Sequence, residues 1–192
     1  MSLPAFELGI WNAWIFMIFL LLPGFVVRLI AKEVYEKAGH PSDMKLSTTQ
    51  KKIGIGSTLI WLLATLYSIF LPLQLGTTWF YTGFVIFLLG LVMLTIATVN
   101  FAATPLDEPV TAGIYRYSRN PMYLAMFLIY VGVSIASASW IFLVLSIVVP
   151  ILTHFGATVP EERYCLEKYG DDYREYMKRT PRWIGIPKSR KN

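Results

Sequence analysis

The sequence predicts an all-α integral membrane protein: five transmembrane helices, the last two forming a short helical hairpin, followed by a cytoplasmic helical tail. Three observations predict it. The chain is 55% apolar and 15% aromatic with a mean hydropathy of +0.53, above the roughly 45–50% apolar content of a soluble domain. Five hydrophobic stretches recur, each judged against the roughly 20 residues needed to cross a hydrocarbon core. All 17 lysines and arginines fall in segments that such a chain would leave on one side.

Span one covers Ile10 to Ile30. It has no basic leader and no small-residue cleavage site, and Arg28 and Lys32 stand at its far end, so it is expected to be retained and not removed as a signal peptide. Pro23-Gly24 is expected to kink it. Ala31 to Lys52 reads as an interfacial amphipathic helix interrupted at Gly39-His40-Pro41 and ending in a polar stretch. Span two, Ile53 to Leu71, and span three, Trp79 to Phe101, are joined by LPLQLGTTW, a short outer turn with a tryptophan at headgroup level.

Spans four (Pro121 to Ser137) and five (Ser139 to Val159) are separated only by small residues. At 1.5 Å per residue, span four reaches about 25 Å against a roughly 30 Å core. The hairpin therefore either just crosses or turns back inside the outer leaflet. The tail opens on Pro160, Glu161 and Glu162, a favourable helix start because proline suits the first turn and acids complement its dipole. Tyr169, Tyr173 and Tyr176 share a face, and Gly170-Asp171 reads as a cap and a restart, giving two short helices. Pro181 ends the second, and Trp183 with Ile184 is expected to return the chain to the membrane surface. There is no internal repeat and no second domain.

Basic residues are retained on the cytoplasmic side far more often than they are translocated. Six follow span one, Arg116 and Arg119 follow span three, and the rest follow span five, which predicts an outer N-terminus and a cytoplasmic C-terminus. The net charge of +5 then belongs to the cytoplasmic face, where anionic headgroups account for it. The expected partner is the bilayer, and nucleic acid is not implied. Cys165 is the single cysteine and has no intramolecular disulfide partner. No glycine-rich phosphate loop, metal-spaced Cys/His set or nucleophilic triad is present.

Two polar segments, Gly113 to Tyr123 (GIYRYSRNPMY) and Glu161 to Tyr176 (EERYCLEKYGDDYREY), bracket the apolar run Met122 to Val159. A run that goes most of the way across and returns brings both to one face, where they form one site suited to a polar cofactor meeting a lipid-like substrate. Glu161 and Glu162 read either as helix-start acids or as partners of ammonium or ribose hydroxyl groups. Tyr115, Arg116, Tyr117, Arg119 and Tyr123 read as interface anchors or as site residues. Asn120 precedes a proline and is held extended, which frees its amide for capping or for a ligand. Asn100 is expected to make a helix–helix hydrogen bond, and His154, seven residues before Glu161, to line a pocket or pack between helices.

GIYRYSRNPMYLA followed after the hairpin by EERYCLEKYGDDYREYMKRTPRWI resembles the isoprenylcysteine carboxyl methyltransferase family and its prokaryotic relatives, which also resemble phospholipid N-methyltransferases. The match covers about the last 85 residues. The resemblance implies an S-adenosyl-L-methionine site built from Asp107, Glu108, Pro109 and Val110, from Tyr115, from Asn120, Pro121, Met122 and Tyr123, and from Glu161 with Glu162 adjacent. Residues 1–101 would be a three-span scaffold and 102–192 the cofactor-binding part of one domain. It further implies methyl transfer to a carboxylate or other lipidic acceptor, with no metal and no obligatory catalytic residue, since the protein aligns the reactants and excludes water. Arg116, Arg119 and His154 are the candidate acceptor contacts.

Two departures stand out. Asn120 replaces the family's histidine between arginine and proline, and Ala157 replaces an arginine four residues before the first glutamate, which weighs against a prenylated-protein substrate. A phospholipid N-methyltransferase, a sterol-reductase-like enzyme using NADPH, and a non-catalytic membrane scaffold stay open as alternatives.

Overall fold

The computed structural model describes residues 7–30, 44–105 and 107–187. The described chain is all-α: α1 Trp14–Ile18, α2 Leu21–Ile30, α3 Thr48–Ser68, α4 Thr78–Ala102, α5 Pro121–Ala136, α6 Trp140–Thr153 and α7 Val159–Arg179. A 3-10 turn, Gly113–Arg116, lies between α4 and α5, and a π turn, His154–Thr158, joins α6 to α7.

The first hydrophobic stretch departs from the expected single span. It breaks between α1 and α2, where Leu20 N–H donates to Met17 O and Leu22 N–H to Phe19 O at 3.1 Å. Pro23 has no N–H to offer Phe19 four residues back and suits the first turn of a helix, and α2 begins just ahead of it. Asn12 is buried and its amide donates to Glu7 O (2.6 Å) and Ile69 O (2.7 Å), which ties this segment to the end of α3.

Residues 31–43 of the expected interfacial helix lie outside the described residues. Its last residues belong to α3 instead: Ser47 and Gln50 form a capping box, so Lys51 and Lys52 stand in the first turns of that helix. The core lies between α4 and α5, where Phe87, Ile129 and Val133 are fully buried and Phe16 of α1 stacks on Phe87 at 4.4 Å. The two helices approach so closely that a Cβ on Gly132 would lie 2.5 Å from the backbone nitrogen of Phe87. Outer faces of α3, α4 and α6 leave large apolar side chains uncovered, among them Leu63 (62% exposed), Leu89 (61%) and Ile151 (53%). Such extended apolar exposure is what a lipid-facing surface requires and a soluble surface avoids.

Among the described residues two helices are long and apolar enough to cross a membrane: α4, and the helical run from Trp140 to Arg179 that includes α6, the π turn and the polar α7. The expected fresh helix start at Pro160 is therefore corrected. Proline cannot donate to Gly156 O and crowds it, so the chain widens by one residue, with Val159 N–H donating to His154 O, and continues. Within α7 the backbone leaves helical dihedrals at Gly170 (φ +55°), so the polar segment is two helices meeting at a kink, at the glycine where the cap and restart were expected. The helix stops at Arg179, and Thr180 is extended ahead of Pro181.

Candidate active site

The inner end of α4 sets the first wall. Asn100 Oδ1 accepts from Ile114 N–H at 3.0 Å, so this residue holds a turn in place and does not bridge two helices as expected. The neighbouring Gly113 has φ +61°, and any Cβ there would collide with the Asn100 side chain, which makes glycine obligatory. The turn carries Tyr115, which is buried against Ala97, Tyr173 and Tyr176 with Val110 and Cys165 packed alongside. Tyr176 hydroxyl donates to Tyr115 O at 2.7 Å. Burial, aided by Tyr176 and Glu161, pushes Tyr115 well above the ordinary tyrosine range, and burial pushes the Cys165 thiol up to about 11. Burial thus favours the neutral form of both groups.

The two polar segments meet. Asn120 Nδ2 donates to Glu162 Oε1 at 3.0 Å, and Tyr123 hydroxyl donates to Glu161 Oε1 at 2.7 Å. Asn120 precedes α5 without capping it with its side chain; its amide spans Glu162 and Arg182 O (3.2 Å) instead. Glu162 is 5% exposed. Its Oε2 accepts from Arg182 Nε (3.0 Å) and Nη2 (2.7 Å), and Arg119 Nη2 stands 3.5 Å from its Oε1. The segment after α7 straps across the loop before α5: Arg119 N–H donates to Pro181 O and Gly185 N–H to Tyr117 O, each at 3.0 Å.

Glu161 differs. Tyr123 is its one hydrogen-bond partner, and no cation pairs with it among the described residues. Burial raises its pKa above the ordinary glutamate value, the Tyr123 hydrogen bond opposes this, and the charge of Glu162 adds to it. Arg119 is the complementary case, a guanidinium with 8% of its side chain exposed whose Nε and Nη1 have no partner among the described residues.

Beside Tyr123 lies an apolar cavity of about 490 Å³ between α3, α5, α6 and the π turn, lined by residues including Trp61, Met126, Phe127, Tyr130 and Ala157. That volume lies within the range of small-molecule sites. The hydroxyls in its wall are already paired, Ser57 with Thr153 at 2.8 Å and Thr65 with Tyr130 at 3.4 Å. The wall therefore presents no spare polar demand to an apolar occupant.

The other expected site residues spread out. Pro121 is buried as the first residue of α5, and Met122 packs between both apolar clusters. Pro109 and Val110 are half-buried, whereas Asp107, Glu108 and Arg116 are exposed and make no ion pair among the described residues. His154 packs on Trp183 (5.6 Å) and Phe155 (4.9 Å) and does not line the cavity. Arg182, Asn100 and the Tyr176 hydroxyl were not foreseen in these roles. Asn100 is expected from the sequence to hydrogen-bond and Tyr176 to share a tyrosine face, whereas Arg182 shows there only as a basic residue directly after the proline stop.

A model of the phospholipid methyltransferase family matches residues 72–172, just over half of the chain, from the α3–α4 loop to just past the Gly170 kink. The chain belongs to the phospholipid methyltransferase family. It is an S-adenosyl-L-methionine-dependent methyltransferase of the membrane, in a family related to the isoprenylcysteine-type enzymes. No curated protein matches it. The residues present fit that cofactor. Its amino-acid end carries an ammonium and a carboxylate; among the described residues Glu161 has no counter-ion and Arg119 has two buried donors without acceptors, and the Tyr115–Tyr173–Tyr176 cluster packs close to both.

Proposed function

We propose that this phospholipid methyltransferase family member transfers a methyl group to a lipid whose apolar chain lies in the cavity between α3, α5 and α6. The observation that carries this reading is Tyr123: its ring lines the cavity and its hydroxyl touches Glu161, so one side chain joins the apolar chamber to the polar site. A methyl-transfer enzyme needs that junction, because acceptor and donor must meet in line with water excluded.

On this reading the chain crosses the bilayer five times as a single domain, N-terminus outside, with the cofactor site at the cytoplasmic surface where the basic residues cluster. S-adenosyl-L-methionine, when bound, supplies a methyl group already activated by the sulfonium. Glu161 and Arg119 hold its charged end, Tyr115 and the α7 tyrosines flank its ring system, and Asp107 to Val110 close the outer side. Asn120, Pro121, Met122 and Glu162 shape the site from behind. Glu162 and Asn120 satisfy each other, so they position the α5 start against α7 and leave Glu161 to meet ligand. Membership of a methyltransferase family speaks against the sterol-reductase and scaffold alternatives.

The test is isothermal titration with S-adenosylhomocysteine together with transfer of a labelled methyl group into membrane lipid extract. Glu161→Gln is expected to weaken S-adenosylhomocysteine binding. Ala157→Met, which fills the cavity, is expected to abolish lipid labelling while S-adenosylhomocysteine binding stays. Unchanged affinity in the first variant, or unchanged labelling in the second, would remove the assigned sites.

A further inference from the structure

We infer that Arg163 is a positioning residue for the lipid acceptor: by tying the segment before α3 to the first turns of α7, it holds Leu46 in place as a wall of the cavity's polar end. This rests on the cavity being the acceptor's site, and it concerns a residue outside the cofactor contacts.

The argument begins with the order in which residues line the cavity. On α3 the lining runs through Gly54, Ser57, Thr58 and Trp61, one face of the helix. Leu46 also lines it, just before α3 begins at Thr48 and so about 9 Å or more from Gly54 at 1.5 Å per residue. On α5 the lining starts in the first turn with Tyr123, which touches Glu161. On the returning chain it ends at Gly156 and Ala157, in the π turn that leads into α7. Leu46, Tyr123 and Ala157 therefore bound the end of the cavity that faces the polar site.

The start of α7 holds each of these walls. Ala157 is joined to it through the chain, and Tyr123 donates to Glu161 Oε1 at 2.7 Å. Arg163 Nη2 donates at 2.7 Å to the carbonyl of Lys45, the residue before Leu46, and stands 3.5 Å from Oε1 of Gln50, the capping-box residue of α3. An exposed arginine beside a membrane ordinarily anchors the interface or pairs with a carboxylate. This one has no carboxylate partner among the described residues, and its planar fork is turned onto the α3 start instead. Deeper along α3 the helix is fixed by other means: a Cβ on Gly156 would lie 2.9 Å from the Gly54 nitrogen, and Ser57 pairs with Thr153 at 2.8 Å. Those contacts set the middle of α3 against the π turn, and the Arg163 bond sets its beginning, where Leu46 stands.

Loss of that bond frees one wall at the point where the acceptor's chain gives way to its reacting end. Glu161, Arg119 and the tyrosine cluster keep their own partners. The acceptor then binds more weakly while a bound acceptor reacts as before, the signature of lost uniform binding.

The test uses the full chain in mixed micelles, with labelled methyl donor and membrane lipid extract as the varied acceptor. Arg163→Ala is expected to raise KM for the extract about tenfold, the scale of one charge-assisted hydrogen bond, with kcat and S-adenosylhomocysteine affinity as in wild type. Arg163→Lys keeps a donor for the Lys45 carbonyl without the fork and is expected to recover part of the loss. Leu46→Ala is expected to raise KM likewise, and the double variant no further than the larger single effect, because both act on one wall. Trypsin cleavage after Lys45 should be faster in Arg163→Ala than in wild type, a readout that needs no turnover. An unchanged KM or cleavage rate, additive effects, or a fall in S-adenosylhomocysteine affinity matching the rise in KM would each overturn the assignment. Ala157→Met in the same preparation keeps the two readings apart: lipid labelling that survives it removes the cavity and the role of Arg163 with it, whereas labelling lost there beside a wild-type KM in Arg163→Ala removes the role of Arg163 alone.

Discussion

Glu161 and Glu162 are neighbours on α7, yet the two regions they face are built on opposite terms. On the Glu162 side every oxygen is engaged: Asn120 from the start of α5, Arg182 from the strap, and Arg119 from the loop all converge on it. On the Glu161 side a single tyrosine hydroxyl is the polar contact among the described residues, and an apolar cavity begins behind it. The difference teaches what each carboxylate is for. A saturated buried charge fixes geometry, while an unsaturated one keeps capacity for a ligand at a cost in stability that the rest of the fold must offset.

Breaking the saturated side should have the largest effect. Glu162→Ala leaves the buried Arg119 and the half-buried Arg182 without a counter-charge and releases the Asn120 amide. Removing one partner of a buried ion pair costs about 3–5 kcal/mol, so thermal unfolding in detergent should fall by many degrees, and the strap after α7 should become open to proteolysis. A melting temperature equal to wild type would mean that the cluster contributes nothing to the fold.

The turn that carries Tyr115 sits between these extremes, since it is pinned at two points only. Asn100→Ala removes the acceptor for Ile114 N–H, an unsatisfied buried group costing about 1–3 kcal/mol. Asn100→Asp keeps an acceptor oxygen and should recover much of the stability. Both changes should be visible in S-adenosylhomocysteine affinity as well, because the turn presents Tyr115. Stability lost with affinity intact would place the turn outside the cofactor site. Tyr176→Phe removes the hydroxyl that donates to Tyr115 O and should cost less, about 1 kcal/mol, with a smaller loss of affinity.

The same contrast explains what the sequence disclosed. That the acidic pair and the Asn-Pro junction come together was legible, because the uncharged run between them leaves the chain no course but to turn back. The helical content and the outer turn at Gly76 were legible for the same reason: long apolar segments and their breakers have few alternatives. The division of labour between the glutamates was not. It depends on Arg182, which meets Glu162 where the chain doubles back after Pro181; the Gly170 break and the proline stop were legible locally, but not which carboxylate the returning arginine would reach. Arginine beside a membrane ordinarily anchors the interface, which hid a buried Arg119. The break between α1 and α2 was misjudged by two or three residues because Pro23 was assigned to the interior of a span, whereas its missing N–H is tolerated at a restart.

The smallest stability effect, and the most informative about the open side, belongs to Glu161→Gln. Burial raises the Glu161 pKa, so the folded state binds that proton more tightly than the unfolded chain does. The group's contribution to stability is fully present below the unfolded glutamate value and is lost as pH rises through the raised folded value. Wild type should therefore lose stability across the mildly acidic range relative to the glutamine variant, whose side chain does not titrate. Near neutral pH the variant should equal or exceed wild type by about 1 kcal/mol or less, since glutamine still accepts from Tyr123. Melting temperatures measured against pH for both proteins give the comparison directly. Saturating S-adenosylhomocysteine should shrink the wild-type slope, because its ammonium stabilises the ionised carboxylate, and should shift the variant less. Parallel curves without ligand would mean that the charge of Glu161 is already compensated, and the two sides of α7 would then be alike.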